Sequence, residues 1–352
     1  MSKIRVAIIG VGNSASVFVQ SLAYHQKKGA VKGIWHPEIG GYGLEDIQVV
    51  EAFDINQSKV GKDLSAAISV SPNNTTKYLE IQNLGVKVSE GLLLDELPDP
   101  VSKLTNVKKS NKETDIAQVL KRSKIDVVLN VISSGLDKTS KAYAEATLKA
   151  GCSFINCTPS PIVCDSNLVS EFEAAKQIVV GDDLMSQFGG TVFHKGILDL
   201  MIKRGVKILK SYQLDVGGGA ETLNTIDEDV KRAKRKVKSS AISSEVPYKI
   251  DTVTGTTDYV DFMGNNRTSY YWLLGEGLNG SPITIDIYLR TSDGSNATNI
   301  LLDLVRVVQI SKERERYGAP NEICGYGFKR PPKPIVLEKA YNKFEETFLK
   351  QK

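Results

Sequence analysis

The period of apolar positions changes along this chain. Residues 4–9, I-R-V-A-I-I, form a short apolar run that predicts a buried first strand. After G-V-G-N-S-A-S at 10–16, the run V-F-V-Q-S-L-A-Y at 17–24 takes helical spacing. I-Q-V-V-E-A-F-D at 47–54 predicts a second strand, ending on Asp54. K-I-D-V-V-L-N-V-I from Lys124 has the continuous apolar composition of a strand covered on both faces. A helix at 139–151, a strand in C-S-F-I-N-C at 152–157 and a strand in Q-I-V-V-G-D-D at 177–183 follow. Alternating strands and helices predict an α/β fold with a doubly wound parallel sheet of Rossmann type.

Beyond about residue 190 the texture differs. A helix from His194 to Arg204 precedes S-Y-Q-L-D-V-G-G-G at 211–219. Two long alternating runs, T-S-Y-Y-W-L-L-G-E-G and P-I-T-I-D-I-Y-L-R-T-S-D, flank Asn279-Gly280 and predict an antiparallel hairpin. A helix is expected at about 298–313, and G-F-K-R-P-P-K-P at 327–334 excludes a regular helix there. The expected layout is a dinucleotide domain over 1–190, a second α+β domain over 191–299 with a mostly antiparallel sheet, and 300–352 returning to the first domain.

The Gly-rich turn carries candidate chemistry. Strand, Gly-x-Gly and helix is the order that lets a pyrophosphate approach a helix N-terminus. Gly10 permits the tight turn and Gly12 the close approach, while Ala15 stands where the usual third glycine falls. Asp54, ending the second strand, suits a ribose diol and repels a 2′-phosphate, which favours NAD over NADP. Its distance from Gly12 is about twice the usual spacing, as a Gly-rich insertion over roughly 27–45 would explain. Ligands in such sheets sit beyond the carboxyl ends of the strands, so Ser133, Asn156, Thr158 and Asp183 are expected near one another.

Composition narrows the field only slightly. The 352 residues are 41% hydrophobic and 24% charged, with a net charge of +4, which suits a globular chain and does not demand a nucleic-acid partner. Four cysteines without C-x-x-C spacing and three scattered histidines give no metal signature, and read as reduced thiols of a cytoplasmic protein. No apolar run is long enough for a bilayer. The charge is concentrated: six of the eight residues from Lys231 to Lys238 are cationic. Such a run can be a solvated helix face, a nucleic-acid patch or a pocket for a phosphorylated anion. It lacks aromatic interleaving, and Asp227, Glu228 and Asp229 precede it, which disfavours nucleic acid. Lys234 and Lys238 are four apart and share one helix face, where two ammonium groups can meet one ligand and one can take part in proton transfer.

Taken together, several stretches resemble the myo-inositol-1-phosphate synthase family over about residues 1–335. They are G-V-G-N-S-A-S at 10–16, A-F-D-I-N-Q-S-K-V-G-K-D-L at 52–64, S-P-N-N-T-T at 71–76, T-P-S-P at 158–161 and V-G-D-D-L-M-S-Q at 180–187. Y-Q-L-D-V-G-G from 212, D-Y-V-D-F-M-G-N-N-R at 258–267 and F-K-R-P-P at 328–332 complete the set. The resemblance implies NAD-dependent conversion of D-glucose 6-phosphate to 1L-myo-inositol 1-phosphate. C5 is oxidised, C6 is deprotonated and attacks the C1 aldehyde, and C5 is reduced again. By motif it implies Asp183, Lys234, Lys238, Asp293 and Lys329 as site residues. Glu221 stands where the family carries aspartate, Arg267 where it carries a lysine, and Met185 where a lysine usually follows Gly-Asp-Asp. The cofactor set it implies, with the Gly-rich turn, is Gly10, Gly12, Asn13, Ser14, Ala15, Asp54, Asn74, Ser133, Thr158 and Asp183. Family members form homotetramers through the second sheet, for which the strand with Tyr270, Tyr271 and Trp272 is a candidate, as it is for an ordinary core strand. The competing enzyme readings are a cyclase for another sugar phosphate and a plain NAD-dependent dehydrogenase; a silent NAD-binding scaffold is a further one.

Overall fold

A computed structural model of the protein describes residues 3–29, 32–107 and 115–350. Residues 30–31 of the expected insertion, 1–2 and 108–114 of the expected dinucleotide domain and 351–352 of the C-terminal return lie outside the described residues.

One sheet has six parallel strands: β1 (Ile4–Ile9), β2 (Ile47–Asp54), β3 (Val88–Glu90), β4 (Val127–Asn130), β5 (Ser153–Asn156) and β6 (Val179–Val180). Their order is β3-β2-β1-β4-β5-β6, with every pairing parallel. The order reverses between β1 and β4, and the loops leaving those two strands diverge to open a crevice. β4 and β5 are buried at every position, as their apolar composition requires of central parallel strands.

The second sheet is β10-β9-β7-β8, formed by β7 (Lys207–Gly217), β8 (Asp251–Tyr259), β9 (Asn266–Glu276) and β10 (Pro282–Ser292). β9 pairs antiparallel with both β7 and β10, while β8 lies parallel to β7. Asn279 and Gly280 take positive φ at the tip of the β9–β10 hairpin. Alternation sends Tyr271 and Leu273 inward, where they pack with Leu198 and Ile242 from the helices Gly190–Lys203 and Glu228–Ser243. Tyr212, Tyr270, Trp272 and Tyr288 line the opposite face, with Tyr212 stacked on Trp272 and Tyr270 on Tyr288. The strand with three consecutive aromatics is therefore split: Tyr271 is core, and its two neighbours are not.

The helix Asp293–Glu313 begins five residues earlier than its apolar spacing suggested and leaves the second sheet for the first. Ile300, Leu301, Leu304 and Val308 share one core with β1, β4 and the helix Asn13–Lys28. Arg306 and Asp303, both fully buried in this helix, anchor the insertion. Arg306 Nη2 donates to Asp303 Oδ1 (2.7 Å) and to the His36 carbonyl (2.9 Å), and Nη1 donates to the Pro37 and Tyr42 carbonyls. Asp303 Oδ2 also accepts from Tyr326 Oη at 2.6 Å and pairs with His36 Nδ1 at 2.7 Å. Backbone carbonyls of an irregular segment are thus satisfied inside the protein by one guanidinium.

Asp303→Ala leaves that guanidinium buried without its carboxylate. Urea unfolding should show a loss of about 3–5 kcal/mol; a loss under about 1 kcal/mol would show that the insertion is held by other contacts.

Candidate active site

At the carboxyl ends of β1 and β4 the Gly-rich turn faces a cleft between the two sheets. Gly10 has φ +92°, and a Cβ there would lie 3.0 Å from the Ile132 nitrogen and the Val131 carbonyl. The turn therefore passes too close to the β4 loop for a side chain. Gly12 precedes the helix Asn13–Lys28, and a Cβ built on it meets nothing within 4 Å. Glycine at 12 thus keeps open a cradle in front of the unpaired N–H groups of the first helical turn, which holds no acidic residue. Asp54 accepts the Val11 N–H and the Asn56 N–H, both at 2.8 Å. Two of its roughly four acceptor positions remain for a ligand. It is both the loop cap and a cleft carboxylate. Ser14, Ser133 and Thr158 line the same cleft.

Two residues of the expected cofactor set have other duties. Ala15 is fully buried under the turn and packs in the core. Asn74 exchanges hydrogen bonds with Asn13 (2.8 and 2.9 Å) and donates to the Gly218 carbonyl at 2.9 Å. Its side chain is spent bridging the Gly-rich turn to the end of β7, and Pro72 and Asn73 line the cleft instead. Asn156 is buried and orients Thr158, whose Oγ1 donates to it at 2.8 Å.

Lys59 lies beside the Gly-rich turn, donating to the Val11 carbonyl at 2.7 Å and to Asn73 Oδ1 at 2.9 Å. Four further cations reach the cleft from three segments distant in sequence, each meeting a carboxylate. Asp227 caps the helix Glu228–Ser243, which buries Val230, Val237, Ala241 and Ile242. That face also carries Lys234 and Lys238 into the cleft, while Arg232, Arg235 and Lys236 are exposed on the other side. Lys234 Nζ pairs with Glu221, which also accepts from Ser134 Oγ at 2.6 Å. Lys238 Nζ donates to Asp215 Oδ2 at 2.7 Å. Arg267, near the start of β9, lies 2.8 Å from Asp293 Oδ2 and 4.0 Å from Asp215 Oδ2. Lys329 arrives by backbone pairing: its N–H donates to the Asp183 carbonyl, and Asp182 and Arg330 exchange N–H···O bonds at 3.1 Å. That register sets Lys329 Nζ 2.5 Å from Asp183 Oδ1.

Burial and pairing compete at these groups. Burial resists ionisation of Asp215, but Lys238 and Arg267 hold its carboxyl far below the usual range. Asp183 is likewise buried and Glu221 partly so, and Lys329 and Lys234 respectively lower them. Burial lowers Lys238, assisted by Arg267, Lys329 and Lys234 and opposed by Asp215. Asp293 and Asp215 overcome burial to raise Arg267. Asp183 Oδ2 and Arg267 Nε are buried with no partner among the described protein atoms, so the cleft wall retains an acceptor and a donor for a ligand.

Asp215 carries no distinguishing signal in the sequence. It lies in the Y-Q-L-D-V-G-G stretch, but nothing in that run distinguishes an inward strand carboxylate from an ordinary one. Met185 turns its side chain into a neighbouring cavity with Trp35, Tyr326 and Tyr341, away from these charges. Among the described residues no group of three or more His, Cys, Asp or Glu side chains is placed to hold a metal ion.

Fold and cleft together define a Rossmann-type enzyme with a charged site between its dinucleotide crevice and a second sheet. The Myo-inositol-1-phosphate synthase family profile matches residues 189–294. The chain is 32% identical to inositol-3-phosphate synthase of Mycolicibacterium smegmatis, over 99% of this chain and 98% of that one. It is 32% identical to the Mycobacterium tuberculosis enzyme, over 98% and 95%. The chain belongs to the myo-inositol-1-phosphate synthase family. The crystal structure of a protein named Ari2 superposes with a TM-score of 0.79 at 29% identity, covering 98% of this chain and 99% of that one. A myo-inositol-1-phosphate synthase-related protein from Thermotoga maritima shares the fold, with a TM-score of 0.82 at 21% identity over 98% of each chain.

Asp183, Asp215 and Glu221 hold fewer protons when folded than when unfolded in acid. Their contribution is complete above about pH 4.5, the ordinary carboxylate range, and is lost as pH falls through their folded values. Asp182, raised to about 6 by burial, acts oppositely: its contribution is complete below its ordinary value near 3.8 and is lost as pH rises through about 6. Below about pH 4 Asp182 no longer varies while the lowered carboxylates do, Asp63 and Asp165 among them, so the urea midpoint should fall steeply there. Lys329→Met, which strands Asp183, should flatten that fall; an identical slope would contradict the pairing.

Proposed function

We propose that this chain converts D-glucose 6-phosphate to 1L-myo-inositol 1-phosphate with tightly held NAD. The observation that carries the reading is the convergence of Lys234, Lys238, Arg267 and Lys329 beside the Gly-rich turn. Gly10, Gly12, Asn13 and Ser14 would hold the pyrophosphate at the helix N-terminus, and Asp54 the adenosine ribose. Ser133, Thr158 and Asp183 would flank the nicotinamide. NAD held by these residues would supply reversible hydride transfer at C5 of the open-chain sugar phosphate.

The chain's own residues do the remainder. Lys234, Lys238 and Lys329 bind the phosphate ester and stabilise negative charge on oxygen as C6 is deprotonated and attacks C1. Lys238, whose proton affinity burial lowers, is suited to take and return a proton. Arg267 keeps its charge and stabilises an oxyanion without moving a proton. Asp183 Oδ2 is free to accept from a substrate hydroxyl. A cyclase for another sugar phosphate uses the same groups, and Arg267 in place of lysine is the residue that favours that second reading.

Homotetramer formation belongs to the same reading, through the outer face of the second sheet where Tyr212, Tyr270, Trp272 and Tyr288 lie in stacked rows. A cytoplasmic location agrees with four unpaired cysteines. No helix among the described residues is long and apolar enough to cross a membrane.

Incubation with glucose 6-phosphate and catalytic NAD⁺ should yield a periodate-labile inositol phosphate without accumulation of NADH. Lys238→Met should lower turnover by about 10²- to 10⁴-fold. Stoichiometric NADH would instead identify a dehydrogenase, and activity only with a different sugar phosphate would identify the second reading. Trp272→Glu should shift the mass measured by light scattering from tetramer to a smaller species; an unchanged mass would remove this face as the contact.

A further inference from the structure

We infer that Asp215 is a positioning residue of this site, tying Lys238 and Arg267 to one fixed carboxylate and setting the charge they present to a ligand. The inference deepens the proposed reaction and rests on it only for the identity of the substrate.

The carboxylate cannot move to follow its partners. Gln213 and Asp215 are two apart on β7 and both point inward, and Asp215 lies opposite Ser269 in the β7–β9 register. Gln213 Nε2 and Ser269 Oγ both donate to Oδ1, at 2.8 and 2.6 Å. Gln213 is itself held through Oε1 by His194 Nδ1 at 3.3 Å. A Cβ at Gly190 would come within 2.2 Å of Gln213 Nε2, so the helix start leaves room for that amide. Oδ1 is thereby occupied, and Oδ2 is left for Lys238 at 2.7 Å, with Arg267 Nη1 at 4.0 Å.

Two cations drawn to one buried anion would otherwise repel each other in a low-dielectric site. Removing this side chain outright would leave Gln213 Nε2 and Ser269 Oγ without an acceptor, whereas an amide of the same shape removes only its charge. The charged and titratable groups facing it are Lys238 from its helix, Arg267 and Tyr271 from β9, and His194 through Gln213, with Lys234 and Lys329 beyond Lys238. Burial drives His194 down to about 4, so it stays neutral near pH 7 and adds no competing charge. Asp215 is the anion paired with Lys238; its removal leaves Arg267, Lys329 and Lys234 acting on that ammonium, opposed by Asp183, which is itself paired with Lys329.

The test uses the NAD-loaded full chain and measures pH-dependent acetylation of Lys238 by acetic anhydride, read by peptide mass spectrometry against exposed Lys236. In Asp215→Asn the Lys238 inflection should move to lower pH by about one unit or more, a tenfold change in proton affinity. Arg267→Gln should move it upward, and Asp215→Glu, which keeps the charge, should restore it most of the way to the native position. An unmoved inflection in Asp215→Asn overturns the inference, because a merely structural aspartate would alter melting and not Lys238. Should that variant fail to fold, an unmoved inflection in Arg267→Gln overturns it equally. Labelling requires no turnover, so inactivity on glucose 6-phosphate would sink the proposed reaction and leave this result standing.

Discussion

Four ion pairs packed at the meeting of two sheets are the constraint on which this protein is built. Taking an ammonium or a carboxylate out of water costs several kcal/mol, and only a close partner with further hydrogen bonds offsets it. Lys238 and Asp215 satisfy that condition at 2.7 Å and Lys329 and Asp183 at 2.5 Å, while Arg267 meets the more exposed Asp293 at 2.8 Å. The partners come from different elements, so the pairs form only when both sheets and the C-terminal segment are in register. A ligand entering the cleft meets charges already compensated, and must offer its own anionic oxygens to compete for the cations.

That arrangement explains how the two halves are joined. Asn74 links the Gly-rich turn to the end of β7, Ser134 meets Glu221, and the backbone of 182–184 pairs with that of 328–330. The helix Asp293–Glu313 starts at the cleft with Asp293 and runs on through the core of the six-stranded sheet. Elements that frame the cleft are thus continuous with elements that form the core. Chemistry that oxidises and then reduces one substrate without releasing the cofactor needs such a closed frame, since water entering would intercept charged intermediates.

The departures from the family pattern fall unevenly on this frame. Met185, where the resemblance implies a lysine, lines a neighbouring cavity with Trp35, Tyr326 and Tyr341 that Asp199, Lys203 and Glu338 also border, so methionine there takes no charge from the cleft wall. Arg267 and Glu221 are in the wall itself, each paired with a partner of opposite sign. They keep charge and change reach and proton chemistry, which bears on which sugar phosphate fits and on how it is protonated, while the cofactor crevice is untouched.

Much of the fold was legible in the chain because short-range patterns carry it. The apolar run to Ile9, the Gly-x-Gly turn and the strand ending at Asp54 specify the crevice locally, and the 234/238 spacing places two lysines on one helix face. The tertiary structure decided that this pair, and not the rest of the run, reaches the cleft, because burial of Val230, Val237 and Ile242 selects the face. It alone turned Asn74 from ligand contact to bridge, set β8 parallel to β7, and brought Lys329 to Asp183 from 146 residues away. Asp215 shows the limit most clearly: strand periodicity says that it points to one side, but only the packing of the sheet against the helix decides that this side holds two cations. Periodicity is a property of neighbours in the chain, whereas charge pairing in a buried site depends on distances that no local pattern encodes.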